Sequence, residues 1–255
     1  MSDGNTGKEA VSLRDVTFSY GADGDTTAIP VFTGLNLSIK TGQTVGIVGR
    51  NGSGKSTLLK LIRGALAPDT GRVALFSRMV AEAGVLHSRP KVSLISQRPD
   101  ASLGPTMTVF ENYLLARHGS RPSLRWAFTR KEREKCLALV RRAGVSLEDK
   151  LDEQIRFLSG GQQQALSVLL GLMLDDPILL MDEPTASLDP ISADKVLDLA
   201  AEYVRERQGL ATIVSHRLAE LLPRCDSIII LIDGKAEHRY RHDSEWTMEA
   251  FRQAL

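Results

Sequence analysis

Residues 11 to 20, Val-Ser-Leu-Arg-Asp-Val-Thr-Phe-Ser-Tyr, alternate apolar and polar positions as a strand with one buried face does. A second alternating run, Leu35 to Lys40, follows a Gly/Asp/Thr loop, so antiparallel structure is predicted at the start of the chain. The pattern changes at Val45-Gly46-Ile47-Val48, which is short, apolar and β-branched, and predicts a strand buried on both faces. Ser56 to Ile62 continues as a helix. Pro68 to Gly71 marks a turn, Arg72 to Phe76 another strand, and Val92 to Ser96 a short buried strand ending at Gln97. Strand signals disappear from 98 to 158, where Cys136, Leu139, Val140 and Ala143 recur at helical spacing and put one apolar stripe on a helix. Ser159 is placed as the N-cap of a helix running through Leu170. Ile178 to Asp182, Ala211 to Ser215 and Ser227 to Ile232 are further buried strands. Between the first two, Asp189-Pro190 opens a helix with a core stripe of Val196, Leu199, Ala200, Tyr203 and Val204, which Gly209 is expected to end. Asp233-Gly234 turns into Lys235 to Tyr240 as a hairpin, and residues 241 to 255 read as a polar tail with one short helix.

Buried strands alternating with helices predict a single α/β domain over 1–255. An antiparallel β-subdomain leads the core, and residues 98–174 form a helical subdomain inserted between core segments 1–97 and 175–255. The chain has 255 residues, 42% of them hydrophobic, enough to fill one sizeable core. A formal net charge of +1 argues against nucleic acid as the main partner. Cys136 and Cys225 show no metal-ligand spacing and are read as free core thiols in a reducing compartment. The first ten residues lack a signal peptide's apolar region, and no apolar run approaches the roughly 20 residues that span a bilayer, so a cytoplasmic protein is expected, one still able to dock on a membrane protein. From Arg117 to Arg142 there are nine Lys/Arg and two Asp/Glu. This run is read as a solvated basic face or as a surface lying near anionic headgroups.

The chemistry centres on Gly49-Arg50-Asn51-Gly52-Ser53-Gly54-Lys55-Ser56-Thr57, which has the spacing G-x-x-x-x-G-K-[ST] between a predicted strand and a predicted helix. Such a P-loop turns its backbone N–H groups toward a phosphate chain, with Lys55 able to meet the β/γ-phosphates and Ser56 a magnesium ion. The core is therefore read as that of a P-loop NTPase. Asp182 and Glu183 end an apolar strand, which suits one carboxylate to the magnesium shell and the other to orienting or deprotonating water. Gln97 and His216 stand at the carboxyl ends of other predicted strands, where ligands of open α/β sheets bind; each also has a bland reading, as a loop-capping amide and a structural histidine. Tyr20 is either a sheet-edge aromatic or a stacking platform for a base. Gly160 and Gly161, just after the Ser159 cap, expose a second helix N-terminus able to take an anion.

Tyr20, the P-loop, Gln97, the pentapeptide Leu158-Ser159-Gly160-Gly161-Gln162, the Ile178 to Glu183 strand, Ser187-Leu188-Asp189 and His216, in that order, resemble the ATP-binding subunits of ABC transporters, with a RecA-like core and a helical insert carrying the pentapeptide. The resemblance covers nearly the whole chain. It implies ATP and Mg2+ as cofactors, Tyr20 stacking on adenine, residues 49 to 57 binding phosphates, Ser56, Gln97 and Asp182 at the metal, Glu183 as catalytic base and His216 holding the γ-phosphate. Ser159, Gly160, Gly161, Gln162 and Asp189 would complete the ATP site of an opposite subunit in a homodimer or a pair with another ABC ATPase. A separate membrane permease, and with it a substrate-binding protein, are the implied partners, placing the chain on the inner face of the cell membrane. Residues 106 to 112 and the run after the pentapeptide are similar to bacterial importers of small solutes such as amino acids. The other readings are a soluble ABC ATPase acting on nucleic acid or ribosomes, and the motor of an exporter.

Overall fold

A computed structural model of the chain describes residues 8–21, 29–88, 91–98, 102–119, 128–174, 176–241 and 246–254. The loop predicted at 22–28, Arg121 and Arg125 of the basic run, and residues 242–245 of the tail lie outside the described residues.

The two alternating runs form β1 (Glu9–Tyr20) and β2 (Ile29–Lys40), paired antiparallel, and β4 (Thr70–Leu75) pairs with the other edge of β1. β5 (Arg78–Glu82) and β6 (Val85–Leu86) extend this sheet to the order β2-β1-β4-β5-β6. Those last two strands were not predicted, and Phe76 belongs to a turn instead of a strand. Leu75 pairs with Arg78 across Phe76 (φ 48°) and Ser77 (φ 63°), a tight hairpin that needs two left-handed residues and here finds them without the usual Asn-Gly.

The second sheet has the order β11-β10-β3-β9-β8-β7. Its members are β3 (Thr44–Gly49), β7 (Val92–Ile95), β8 (Ile178–Asp182), β9 (Leu210–Val214), β10 (Ser227–Ile232) and β11 (Lys235–Tyr240). All pairings are parallel except that of β10 with β11. The continuous apolar runs are explained by two-sided burial. Ile178 and Leu180 of β8, with Ile229 and Leu231 of β10, pack toward α1 (Lys55–Ile62) and the antiparallel sheet. Their alternates Leu179, Met181, Ile228 and Ile230 pack on the opposite side, against a helical layer.

That layer comprises α2 (Val109–His118), α3 (Arg130–Ala143), α4 (Gly160–Leu172), α5 (Pro190–Arg207), the short α6 (Leu218–Leu221) and α7 (Met248–Ala254). The helical segment predicted at 98–174 shares its core with the central sheet, since Leu114, Cys136 and Leu169 belong to the same cluster as Ile95 and Met181. Both cysteines are free and buried, and burial pushes each thiol up to about 12, so neither is a ready nucleophile. Gly209 does not end α5. Gln208 takes the left-handed cap (φ 51°, ψ 32°), while Gly209 lets the chain pass Pro177, whose carbonyl oxygen would lie 2.9 Å from any added Cβ.

α1 holds the two sheets together: Leu58, Leu59, Leu61 and Ile62 are all buried in the cluster between them. Leu61→Ala should therefore cost about 2–5 kcal/mol in denaturant unfolding, through lost transfer energy and a residual cavity. A cost below about 1 kcal/mol would show that the sheets close over the gap.

Candidate functional site

The parallel strands β3, β9, β8 and β7 run in one direction, so their carboxyl ends share an edge. The loops leaving that edge carry the P-loop, Ser215-His216, Glu183 and Gln97 respectively. Such an edge is where ligands of open α/β sheets bind.

The P-loop turns through left-handed backbone at Gly52 (φ 84°) and Gly54 (φ 97°). At Gly54 an added Cβ would also lie 2.7 Å from the Phe32 ring and 2.8 Å from Val31, so β2 presses directly on the loop. Lys55 is buried, and its ammonium donates to the Gly49 carbonyl at 2.7 Å and the Arg50 carbonyl at 2.9 Å. Burial pulls its pKa below the ordinary lysine value, and the carboxylates of Glu183 and then Asp182 offset part of that shift. An ammonium has three protons to donate, so one remains for a phosphate oxygen. The buried Ser53 hydroxyl has no partner among the described residues, as a group reserved for a ligand would.

Ser56, the second residue of α1, donates to Asp182 at 2.9 Å. A hydroxyl beside a carboxylate is the hard oxygen pair that magnesium takes, and the fit to that ion is good. Glu183 follows with φ 51°, a left-handed conformation rare for a glutamate, and its N–H donates to the Val214 carbonyl at 3.0 Å. This bend aims its carboxylate at two predicted residues: the Gln97 amide donates to it at 3.3 Å, and His216 Nε2 lies 2.5 Å from it. Five of the sequence-predicted groups thus meet on one edge, Ser56 with Asp182 and Glu183 with both Gln97 and His216. Tyr20, at the end of β1, is 43% exposed and its hydroxyl lies 3.1 Å from that of Thr57 in α1, so the aromatic stands beside the P-loop helix. Phe18 meets its ring edge-on at 5.0 Å. Arg50, Asn51, Gly52 and Ser53 line a cleft of about 550 Å³ with Asp233, which the sequence pattern marks only as a turn residue.

The remaining predicted residues gather elsewhere. Ser159, Gly161, Gln162 and Asp189 line a cleft of about 380 Å³ that shares no lining residue with the P-loop cleft. Ser159 caps α4 by accepting from the Gln162 N–H at 3.2 Å, while the Gln162 side chain accepts from the Ser159 N–H at 3.2 Å. Gly160 has open space where a Cβ would stand, and Gly161 packs so closely on the Ser187 carbonyl that a Cβ would lie 2.8 Å from it. Asp189 caps α5 through the N–H groups of Ile191 and Ser192, and the Ser192 side chain above all holds its carboxyl below the usual range. Of the seven described basic residues of the run, five form ion pairs. Arg117 and Lys135 pair with Glu132, Arg130 with Glu134, Arg133 with Asp152 and Arg142 with Glu202, which favours the solvated-face reading over a headgroup surface.

With this geometry in hand, comparison with known proteins is informative. The family described as ABC transporter matches residues 32–186. The chain is 33% identical over 205 residues to the tyrosine transport ATP-binding protein of Clostridioides difficile, covering 80% of this chain and 82% of that one. It is 36% identical over 200 residues to the thiamine import ATP-binding protein ThiQ of a Jannaschia species, covering 78% and 82%. Among solved structures, the dimeric ATP-binding cassette MJ0796 with ADP and Pi bound is similar with a TM-score of 0.76 at 27% identity, over 91% of this chain and 99% of that chain.

Gly54 is where backbone conformation and close approach coincide. Gly54→Ala should lower nucleotide affinity about tenfold or more through a displaced P-loop. Titration with a fluorescent ATP analogue, beside a circular-dichroism spectrum showing a folded chain, measures this. Unchanged affinity would remove the close-approach account.

Proposed function

Since this chain belongs to the ABC transporter family as an ATP-binding subunit, an ATPase whose turnover is coupled to transport, we propose that Glu183 is the catalytic base of hydrolysis and His216 its orienting partner. The observation that carries this reading is the bent end of β8, which sets one carboxylate between Gln97 and His216 while its neighbour Asp182 meets Ser56. Lys55 and the N–H groups of residues 49 to 57 bind the phosphates, and Tyr20 offers its ring to the adenine. Ser56, Asp182 and Gln97 would hold Mg2+, which when bound would neutralise phosphate charge. Glu183 then takes a proton from the water attacking the γ-phosphate, and His216 donates a hydrogen bond to that phosphate.

Ser159, Gly160, Gly161, Gln162 and Asp189 act on a second chain's nucleotide. Their cleft is separate from the P-loop cleft within one chain, and the similar cassette MJ0796 is dimeric. Closing two chains around two ATP molecules, and opening them after hydrolysis, moves the helical segment next to Gln97 and so a cytoplasmic loop of a membrane permease. No helix among the described residues is long and apolar enough to cross a membrane, which accords with a subunit that works peripherally on such a partner. The similar thiamine-import subunit supports import of a small solute and the similar tyrosine-transport subunit an amino-acid-like one, which a substrate-binding protein would deliver.

Glu183→Gln should bind ATP normally and hydrolyse it about a hundredfold more slowly or worse, the contribution expected of a general base. Lys55→Ala should instead weaken ATP binding roughly tenfold or more by removing a charge-assisted contact. Steady-state phosphate release and equilibrium nucleotide binding separate the two. Normal hydrolysis by the Glu183 variant would remove it as base, and normal affinity in the Lys55 variant would remove the P-loop assignment.

A further inference from the structure

Glu220, on α6 four residues after His216, is buried at 9% exposure, and its carboxylate joins the two segments that carry the catalytic pair. Its Oε2 accepts from the Thr185 hydroxyl at 2.8 Å and from the Ser215 hydroxyl at 3.2 Å. Thr185 is two residues after Glu183, and Ser215 immediately precedes His216. Both hydroxyl residues are buried, at 3% and 4% exposure, so neither can exchange Glu220 for water. Oε1 accepts from the Arg217 guanidinium at 2.9 Å, which balances the charge, and the Arg217 N–H donates to Ser215 Oγ at 3.0 Å, closing the network.

The tie spans a strained point of the backbone, although the Glu183 carbonyl also accepts from the Ala186 N–H at 3.2 Å. Glu183 sits at φ 51°, a conformation that persists in a non-glycine residue only when its surroundings over-determine it. On one side the Glu183 N–H is fixed to Val214 of β9. On the other the chain turns away through Pro184, and the first side chain anchored after it is Thr185. We propose that Glu220 is a positioning residue for ATP hydrolysis, holding the Glu183 and His216 segments at the separation at which the two side chains meet. It hydrogen-bonds to neither of them, nor to Lys55, Ser56 or Asp182. Displacement of a base by about 1 Å can cost a hundredfold in rate while leaving binding intact. Because the proposal rests on Glu183 as base, its test must separate the two.

The purified full chain serves, with kcat and KM for ATP, single-turnover hydrolysis and thermal melting read together. Glu220→Ala should lose about tenfold to a hundredfold in kcat with KM unchanged within about twofold. Glu220→Gln, whose amide oxygen can still accept from both hydroxyls, should recover most of that loss. Thr185→Val keeps the shape of the side chain and removes one donor; it should melt near the parent temperature and still lose part of kcat. The discriminating readout is non-additivity: Glu220→Ala placed on Glu183→Gln should slow single-turnover hydrolysis no further, since the residue acts through the base. A normal kcat in Glu220→Ala, a parallel loss of ATP affinity, or the full slowing repeated on Glu183→Gln would each overturn the proposal. Slow Glu183→Gln with normal Glu220→Ala sinks this proposal alone, whereas normal turnover by Glu183→Gln sinks the base assignment and this proposal with it.

Discussion

Burial of the parallel strands on both faces is the constraint on which the rest depends. A strand such as β8, with Ile178 and Leu180 in one core and Leu179 and Met181 in the other, cannot slip by one residue without sending every side chain into the other, differently shaped core and drawing the polar Asp182 toward the apolar interior or an apolar residue out to the edge. Its end is therefore fixed along the sheet, and so are the ends of β3, β9 and β7. Groups that must lie within hydrogen-bond reach of one another can then be placed one per loop. Ser56 meets Asp182, and Gln97 and His216 meet Glu183, across 126, 86 and 33 residues of sequence by the numbering alone. The antiparallel sheet serves the same purpose from behind, since Phe32 and Val31 of β2 press against Gly54 and leave the P-loop a single path.

This is also why so much of the site could be read before any fold was known. An apolar run that stops at a polar residue marks a strand end, and in this topology a strand end is a place in the site. The P-loop, Asp182, Glu183 and His216 all carry that signature. The second cleft was legible for a different reason, because Ser159 and Asp189 are N-caps whose side chains, with Pro190 or the paired glycines behind them, declare helix starts locally.

What escaped notice depended on backbone conformations that the residues do not advertise. The hairpin into β5 runs through Phe76 and Ser77 in left-handed geometry, and α5 ends on Gln208 while the neighbouring glycine meets a packing need at Pro177. Tertiary context overrode turn chemistry in both cases. Glu220 was invisible for a further reason. In sequence it is one acidic residue in a short helical stretch, and only the meeting of the segments after β8 and β9 gives its carboxylate two buried hydroxyls to accept from. Buried polar groups acquire meaning from their partners, which periodicity does not report.

In the proposed mechanism the two carboxylates at the end of β8 serve two chemical tasks. Asp182 closes β8 and Glu183 follows it in a left-handed bend, and the two carboxylates meet different partners. Asp182 reaches Ser56 at the start of α1, where the helix dipole favours a negative group or the oxygens of a metal-bound phosphate. Glu183 instead faces an amide and an imidazole. Lys55 still feels both carboxylates, with the pull of Glu183 the larger. The two carboxylates that close β8 thus offset part of the effect of burial on the ammonium, so in the proposed mechanism phosphate binding and the placement of the base depend on a single turn of chain.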